Sequence, residues 1–396
     1  MNVTTSEPYT APEPPPLVPE DIGLFGRFLR GRKWYGTEWY ITLFGGLVLL
    51  SVLIMTIFAP ILAPHDPNDF VGAPFTPPRY GLQAIIAHQG QEMLSSEEEL
   101  NSREIGVYRN SNGATWTKEV GIDRTRYQDR EEMLAALDNG EIDLAFIEER
   151  NVEELLSEYP QFTGVLTGLG RVYPLGTDNL GRDMLSRVIW GARTILGVAV
   201  ISALFSSIVG IPLGLTSAFV GGKLDRTLSL VMDSIYSFPG LLLAVALAAM
   251  LGPSLLNVAV AISVVYVPTF FRVTRGQVLS IKEHTYVEAA RSLGAKNHSI
   301  LFRYIFPNVI PSVVVVFSLN VADAIITAAG LSFIGLGLPP DVPDWGYDLN
   351  KGHSFLVAGY WWLITIPGVM IALVAAGFSM LGEGLSEILN PRLVKG

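Results

Sequence analysis

The sequence has no cysteine and few charged residues, and each shortage excludes a class of function. Without cysteine there are no disulfides, thiolate zinc sites, iron–sulfur ligands or cysteine nucleophiles. The five histidines stand singly, so we predict neither a metal site nor a resident cofactor. Only 16% of the 396 residues are charged, against roughly 25% in an average soluble domain, whereas 49% are hydrophobic. This composition indicates a membrane protein.

Motifs for catalysis are also missing. The sequence lacks G-x-x-x-x-G-K-[ST], because Gly221-Gly222-Lys223 has neither the upstream glycine nor a following serine or threonine. It also lacks H-E-x-x-H and G-x-S-x-G, and no cluster indicates paired catalytic carboxylates. The net charge of −10 leaves no basic stripe for nucleic-acid phosphates. We therefore expect neither an enzyme active site nor nucleic-acid binding.

The negative charge is concentrated in one segment. Residues 79–172 contain 18 acidic and 9 basic side chains, whereas the rest of the chain contains 19 acidic and 18 basic ones. An acidic, hydrophilic module therefore interrupts a chain that is otherwise apolar and nearly neutral.

Long uncharged runs predict the membrane-spanning helices. From Trp39 to His65 no residue is charged over 27 positions, enough to cross a hydrocarbon core of about 30 Å at 1.5 Å per residue. Residues 194–222 form a second run of 29 positions. Within it, Gly210 and Gly214 have the four-residue spacing that lets two helix backbones approach closely.

The third run, 234–271, has 38 residues and would be about 57 Å long as one helix, too long for a single crossing. It must therefore fold back. Gly252-Pro253 is the expected turn between spans at about 227–251 and 255–272. Pro239 is expected to kink or interrupt the first of them.

Two further apolar runs complete the bundle. Residues 304–340 are apolar apart from Asp323, and they predict either one long helix with a re-entrant piece or two short crossings. Residues 352–382 contain no charged side chain and predict the last span. The expected fold is an all-α membrane bundle of six transmembrane helices, or seven if 304–340 crosses twice, with an inserted small α/β extracytoplasmic module.

Positive charge sets the orientation of this bundle. With six spans and a cytoplasmic amino terminus, 14 of the 18 basic residues outside the acidic module lie on the cytoplasmic side. Both termini are then cytoplasmic in the inner membrane. The predicted divisions are a disordered proline-rich tail (1–26), a cytoplasmic entry with the first transmembrane helix (27–66), the extracytoplasmic acidic insertion (67–173) and a five-helix core (174–396).

The acidic insertion has the pattern of a small α/β unit. Glu104 to Tyr108 and Ile142 to Ile147 predict strands, and helices are expected at about 129–139 and 151–158, for a sheet of two or three strands. The run EEMLAALDNGEIDLAFIEE is similar to the helix–turn–strand rhythm in lobes of extracytoplasmic solute-binding proteins. The alternative is a stabilising cap with no ligand of its own.

The polar stretch 282–311 lies on the cytoplasmic side and has the pattern of two short helices. Gly294 permits a sharp change of direction, and Pro307 interrupts the second helix before the next span. A helix–turn–helix between two spans is suited to binding by a cytosolic partner. Four residues at helical spacing form the apolar stripe of the first helix: Tyr286, Ala289, Ala290 and Leu293.

A family resemblance starts from this stretch. Glu288-Ala289-Ala290 is followed after three residues by Gly294 and after nine more by Tyr304-Ile305-Phe306-Pro307. This arrangement resembles the EAA loop in permease subunits of bacterial and archaeal ATP-binding-cassette importers. Neighbouring segments resemble the C-type permease of dipeptide/oligopeptide/nickel importers over about residues 25–67 and 174–393. They are APILAPHDP (59–67), PLGTDNLGRDMLSRVIWGAR (174–193), FPGLLLAVALAAMLGPSLLN (238–257), YVEAARSLGA (286–295), GLSFIGLGLPP (330–340) and NPRL (390–393).

The resemblance implies a permease subunit that moves peptides or similar small solutes by alternating access, or nickel complexes in the same family. It implies four kinds of partner: a homologous permease subunit, two ATPase subunits or domains, an extracytoplasmic solute-binding protein and membrane lipid. The coupling loop 282–307 docks in a cleft of the ATPase in such importers. The residues that match it here are Glu288, Ala289, Ala290, Gly294 and Pro307. An ordinary helix pair with Arg291 is the alternative role for Glu288.

Two departures from the family pattern stand out. The acidic insertion replaces a short linker, and Ala328 lies near the place where the family often has a glutamate. Asp323, five residues earlier, is a candidate for lining the pathway or for a buried hydrogen-bonded pair. In the segment 176–183 and at the helix start that follows it, Asp178, Arg182, Asp183 and Arg187 either pair locally or guide substrate at an outer gate.

Two other classes of function are open to a chain of this composition. An ion-driven carrier needs no ATPase and predicts intramembrane charges with an inverted repeat, which Asp323 fits weakly and the rest of the sequence does not. A membrane receptor needs a cytoplasmic signalling domain, and the predicted inside segments are too short for one.

Overall fold

The computed structural model describes residues 32–90, 94 and 97–388. The predicted tail 1–26 and the NPRL segment 390–393 lie outside these residues. The helices are α1 (Arg32–Ile57), α2 (Ala59–Leu62), α3 (Asn112–Val120), α4 (Arg130–Asp138), α5 (Val152–Glu158), α6 (Met184–Val220), α7 (Gly222–Tyr236), α8 (Gly240–Leu251), α9 (Leu255–Ile281), α10 (Thr285–Ser292), α11 (Asn297–Ser299), α12 (Phe306–Phe333), α13 (Trp345–His353) and α14 (Trp362–Ile388). The strands are β1 (Tyr80–His88), β2 (Ile105–Tyr108), β3 (Thr125–Tyr127), β4 (Leu144–Glu148) and β5 (Phe162–Tyr173).

Five helices among the described residues are long and apolar enough to cross a membrane, and a sixth span results if α7 and α8 are counted together. The axes of α7 and α8 are bent by 87°. The span predicted at about 227–251 is therefore present only as this bent pair, broken between Tyr236 and Gly240. Pro239 has no backbone N–H to donate and is the N-cap residue of α8, so the interruption falls where the sequence predicts it. The predicted turn at Gly252-Pro253 is confirmed, because α8 ends at Leu251 and Gly252 has a φ of +83°.

The close approach expected at Gly210 and Gly214 is confirmed. A Cβ atom on Gly210 would lie 2.7 Å from the Cβ of Phe270, and one on Gly214 would lie 2.7 Å from the carbonyl oxygen of Phe271. Both glycines of α6 therefore let the backbone of α9 pack against them without a side chain between. Around this contact the core is built from small and branched residues of α6, α8, α9, α12 and α14.

Residues 304–340 make one crossing and not two. The helix runs from Asn297 to Phe333, with a π-helical segment at Ile300–Ile305, and Pro311 lies inside it without ending it. The short helix α13 follows outside the span. Pro307 lies in the first turn of α12, where a missing N–H costs little, whereas Pro311 lies further inside α12 and removes one of its N–H donors.

The acidic insertion contains a five-stranded sheet of order β3-β2-β4-β1-β5, so the prediction of two or three strands is wrong. Strands β2, β3 and β4 are parallel, and β1 is antiparallel to both β4 and β5. Helices at about 129–139 and 151–158 are confirmed as α4 and α5. The strands that the sequence did not predict are the two long ones at the module boundaries and the three-residue β3.

Helices cover both faces of this sheet. Ile85 and Phe146 pack on one face with Trp116 of α3. Ile86 and Ala145 pack on the other face with helices α4 and α5. Successive strand residues alternate between these two clusters, as the period of a strand requires, and the module is a three-layer α/β/α unit.

Candidate functional site

The coupling loop consists of α10, a turn at Gly294 and α11. Helix α10 packs on the membrane core through Val287, which is buried together with Val278 and Ile300, and Ala290 is buried as well. Gly294 has a φ of +81°, a conformation that glycine adopts without strain. This explains why the chain can reverse immediately after α10.

The apolar stripe predicted on α10 does not face this core. Tyr286 is 40% exposed, Leu293 is 88% exposed and Ala289 is exposed as well; only Ala290 of the four residues is buried. Ala290 is therefore not available for close approach by a partner. The π-helical segment adds Phe302, which is 61% exposed, so apolar side chains of both helices are left uncovered by this chain.

Glu288 lies on the exposed side of α10 and forms no ion pair with any described residue, Arg291 included. A Cβ atom on Gly294 would meet no atom within 4 Å, so the turn is open on its outer side. Pro307 is exposed in the first turn of α12. The free carboxylate and the open glycine lie on the same loop as the uncovered apolar side chains.

On the opposite side, the segment 176–183 is held by local hydrogen bonds. The Nε of Arg182 lies 2.6 Å from Oδ2 of Asp178, and both side chains are buried. Oδ1 of Asp178 also accepts hydrogen bonds from the backbone N–H groups of Leu180 and Arg182. Gly181 lies in this turn with a φ of +79°. The structure therefore pairs Asp178 with Arg182 inside a rigid turn.

Asp183 caps the helix that follows. Its Oδ2 accepts hydrogen bonds from the backbone N–H of Ser186 at 2.9 Å and from the Ser186 hydroxyl at 2.6 Å. His65, from the end of the first membrane segment, lies 3.6 Å from the same carboxylate. A capping aspartate satisfies an N–H group that would otherwise lack an acceptor.

A third ion pair near this segment was not expected from the sequence. Arg187 is completely buried and binds Asp348 of α13 through Nε and Nη2, and its Nη1 donates to the carbonyl oxygen of Pro67. The pair joins residues 161 positions apart. No local pattern could have found it, although an arginine beside an uncharged run needs a partner once it is buried.

Tyr173, the last residue of β5, lies at the boundary between the insertion and the membrane core. Its hydroxyl donates a hydrogen bond to the carbonyl oxygen of Val71, and burial raises its pKa to about 12. A neutral, hydrogen-bonded phenol is favoured at such a place because ionising it would put a charge into the packed boundary.

Asp323 is exposed on the surface of α12, near the middle of the apolar stretch. Close to it, the hydroxyl groups of Tyr266 and Thr327 are 2.9 Å apart and hydrogen-bonded to each other. Ala328, near the place of the family glutamate, is buried. A carboxylate at such depth costs about 2.5–3.5 kcal/mol in lipid, so this face needs a protein or aqueous neighbour.

Two more ion pairs link α7 to α9. Asp225 binds Arg275 with an O–N distance of 2.6 Å, and Asp233 binds Arg272 at 2.6 Å. An open cavity of about 700 Å³ is lined by Asp225, Asp233 and Arg275 of these pairs, together with Arg226, Ser229 and Ser234. In the part of the chain that the structure describes, no group of three or more His, Asp or Glu residues is arranged to hold a metal ion.

The chain is similar to several known proteins. A family model described as a binding-protein-dependent transport system inner membrane component matches residues 210–395. The chain is 42% identical over 219 residues to the glutathione transport system permease protein of Pectobacterium atrosepticum, covering 55% of this chain and 72% of that protein. It is 38% identical over 228 residues to the dipeptide transport system permease protein of Alkalihalophilus pseudofirmus, covering 58% and 75%.

A third relative is the probable D,D-dipeptide transport system permease protein of Escherichia coli K12, 38% identical over 217 residues, with 55% of this chain and 72% of that protein covered. Among solved structures, the inward-facing MetNI methionine ABC transporter matches with a TM-score of 0.45 and 19% identity, covering 52% of this chain and 98% of that one.

Proposed function

Because the chain belongs to the C-type permease family of binding-protein-dependent, ATP-driven importers, we propose that its substrates are peptides or peptide-like solutes. It is a transport component of the inner membrane and not an enzyme, since ATP hydrolysis in such systems is carried by a separate subunit. The substrate proposal is supported by the names of three relatives, which refer to glutathione, dipeptides and D,D-dipeptides. No observation favours a nickel complex or an ion-driven carrier.

The coupling loop is the proposed docking site of the ATPase. The observation that supports this most is the exposed surface of α10, where Leu293 is 88% exposed beside the open turn at Gly294. Leu293 is not alone, because Tyr286 and Phe302 of the same region are also uncovered, and a group of exposed apolar side chains marks a surface on which a partner packs. Glu288 supplies a free carboxylate for a cation of the partner. Switching an alternating-access equilibrium from 1:99 to 99:1 needs about 5.5 kcal/mol, which must enter through this loop.

The proposed pathway lies on the face of α12 that carries Asp323. One chain provides half of it, and a homologous permease subunit covers the other half. Asp323 then faces the ammonium group of a peptide in transit. At the outer end, the bonded turn at Asp178, Arg182 and Asp183 supports the rim of the gate, because its buried ion pair fixes the loop that enters α6.

The orientation and the division of the chain complete the proposal. Both termini are cytoplasmic and the insertion 67–173 is extracytoplasmic, as the distribution of basic residues supports. An extracytoplasmic solute-binding protein and two ATPase subunits or domains complete the assembly.

Reconstitution in proteoliposomes tests the function. The chain is purified with its natural partner permease, ATPase and binding protein, and uptake of a radiolabelled dipeptide is measured with and without ATP. ATP-dependent uptake of the dipeptide is expected, with no uptake of a nickel chelate. Uptake that persists without the ATPase and follows an imposed ion gradient would contradict the importer mechanism. Uptake of the nickel chelate alone would contradict the substrate.

A further inference from the structure

The sheet of the insertion has a crevice at the carboxyl ends of β2 and β4. The chain leaves β2 into α3, whose Trp116 packs on one face of the sheet with Phe146. It leaves β4 toward α5, whose Leu155 packs on the opposite face with Ala145. Neighbouring parallel strands whose connections leave to opposite faces define a topological switch point. In open α/β sheets, ligands bind in the crevice at that point.

A cavity occupies this place in the insertion. Its volume is about 250 Å³. Asn112, the first residue of α3, and Glu148, the last residue of β4, both line it. The other lining residues come from the connector and the start of β1 and from the turn after β4: Thr76, Arg79, Tyr80, Gly81, Leu82, Glu149 and Arg150.

The charges of this cavity are balanced but not all paired. Glu148 binds Arg150 with an O–N distance of 2.8 Å, and the guanidinium of Arg150 lies 5.3 Å from the centre of the Tyr80 ring. Arg79 and Glu149 form no ion pair with any described residue. The lining of the cavity therefore includes one arginine and one glutamate without an ion-pair partner among the described residues, beside the paired Glu148 and Arg150.

The backbone holds Arg79 in an unusual conformation. Its φ is +67°, in the left-handed region that non-glycine residues rarely adopt, and its N–H donates to the carbonyl oxygen of Tyr173 at 2.7 Å. Such positions cluster at ligand clamps, where the surrounding structure maintains them. The strand β5 thus fixes the place from which the Arg79 side chain starts.

We propose that this cavity binds a small zwitterion, a free amino acid or a dipeptide, with its carboxylate on Arg79 and its ammonium group on Glu149. Both contacts are charge-assisted hydrogen bonds of the kind that recognise free termini. The volume is just below the range of roughly 300–1,000 Å³ usual for small-molecule sites, so a longer peptide does not fit. The site lies in the insertion and is separate from the proposed pathway.

Two buried residues that line the cavity connect it to the membrane core through hydrogen bonds. Asn112 donates from Nδ2 to the hydroxyl of Thr76 at 3.0 Å, and both residues line the cavity. The backbone N–H of Thr76 donates to the hydroxyl of Thr177 at 2.8 Å, and Trp362 of α14 donates from Nε1 to the carbonyl oxygen of Thr177 at 3.1 Å. A ligand in the cavity thus contacts the connector between the insertion and the bundle.

Calorimetric titration of the purified transporter complex, without its binding protein, tests the site. The probes are glycylglycine and L-alanine, with N-acetylglycylglycine and glycylglycinamide as blocked analogues. Arg79→Gln and Glu149→Gln are each expected to weaken binding of the zwitterions at least tenfold. Arg126→Gln and Glu131→Gln change the same charges at exposed positions outside the cavity, and they are expected to bind like the unmodified chain.

A second measurement needs no variant. Hydrogen exchange of the unmodified complex is expected to slow at the amides of 80–82 and 148–150 when glycylglycine is added. No binding of either zwitterion at millimolar concentration would overturn the proposal, as would binding that both cavity variants leave unchanged. Dipeptide uptake is assayed in parallel. If the unmodified transporter takes up no dipeptide, that result contradicts the proposed function but not the proposed binding site.

Discussion

Arg187 and Asp348 form a buried ion pair that joins the first turn of α6 to α13. The Nη2 of Arg187 lies 2.6 Å from Oδ1 of Asp348, and its Nε contacts both carboxylate oxygens at 2.9 and 3.1 Å. A third bond from Nη1 to the carbonyl oxygen of Pro67 adds the connector to the same junction. One arginine therefore ties together the three segments that meet where the insertion enters the membrane core.

Removing one member of this pair is expected to destabilise the transporter strongly. Asp348→Ala leaves a buried guanidinium without its carboxylate, which costs about 3–5 kcal/mol, whereas Arg187→Met with Asp348→Leu removes both charges and recovers most of that loss. Apparent melting temperatures of the detergent-solubilised complex measure the difference. Arg193→Gln, at an exposed position of the same helix, serves as control. A double variant no more stable than Asp348→Ala would contradict this account.

The contact between α6 and α9 gives a second prediction. Gly210→Ala and Gly214→Ala place a Cβ atom 2.7 Å from the backbone or Cβ of α9, so the helices must separate, at a cost of about 1–3 kcal/mol. Gly276→Ala, in α9 itself, meets no atom within 4 Å and is the matched control. The melting temperature of the first two variants is expected to fall while that of the control is unchanged or rises. Equal melting temperatures of all three variants would show that the close approach of α6 and α9 does not contribute to stability.

How much of this could be predicted depends on the distance between the interacting residues. Local signals were sufficient for Gly252 and the Gly210/Gly214 pair, because a turn or a small-residue spacing depends on a few neighbouring positions. Arg187 and Asp348 are 161 positions apart, so neither residue's neighbours indicate the other. Strand β1 was missed for a different reason. Its central residues are a short apolar run without alternation, which does not separate a doubly buried strand from a helix.

The coupling loop shows the limit of periodicity. Tyr286, Ala289, Ala290 and Leu293 have the spacing of one helix face, and such a face packs equally well on the protein's own core or on a partner. In the structure Val287 packs on the core and Ala290 is buried, whereas the other three predicted residues are exposed. The pattern of hydrophobic residues predicted that α10 has an apolar side. Only the packing in the structure shows which of these residues stay exposed for contact with a second protein.

The insertion is expected to lose stability at high pH. Burial raises the pKa of Tyr173 and of Tyr108 from 10.0 to about 12. Between these values the folded state keeps a phenolic proton that the unfolded state has lost, so the contribution is complete below pH 10 and disappears as the pH rises to 12. Thermal melting from pH 9 to 12 measures this loss. Tyr173→Phe is expected to reduce this loss of stability in part. Tyr80→Phe, which changes an exposed ring, is expected to leave the loss unchanged. A decline equally steep in Tyr173→Phe would contradict the assignment.

Asp323 is expected to affect substrates with a free amino terminus. Asp323→Asn keeps the size of the side chain and removes its charge, so a peptide ammonium group in the pathway loses its counter-ion. Uptake of a free dipeptide in proteoliposomes is expected to fall about tenfold, which corresponds to about 1.4 kcal/mol. Uptake of the N-acetylated dipeptide is the internal control and should change little. An equal loss for both peptides would indicate a structural role for the carboxylate.

Gly294 gives the sharpest test of the coupling loop. Gly294→Trp places a large side chain into the space outside the turn, where this chain has no atom within 4 Å and where the ATPase is proposed to pack. The variant should still insert and assemble its own core, but dipeptide uptake should be lost while ATP hydrolysis continues without coupling to transport.

The control for this substitution must reproduce its backbone strain. A left-handed conformation costs an L-residue roughly 1–2 kcal/mol whatever its surroundings. Gly252 has a φ of +83° against +81° at Gly294, and a Cβ atom there likewise meets nothing within 4 Å, but it lies in the turn between α8 and α9 at the opposite end of the bundle. Gly252→Trp should therefore keep coupled uptake, whereas Gly294→Trp should not. Normal uptake by a well-expressed Gly294→Trp transporter would exclude this loop as the ATPase contact, and equal loss in both variants would attribute the effect to backbone strain.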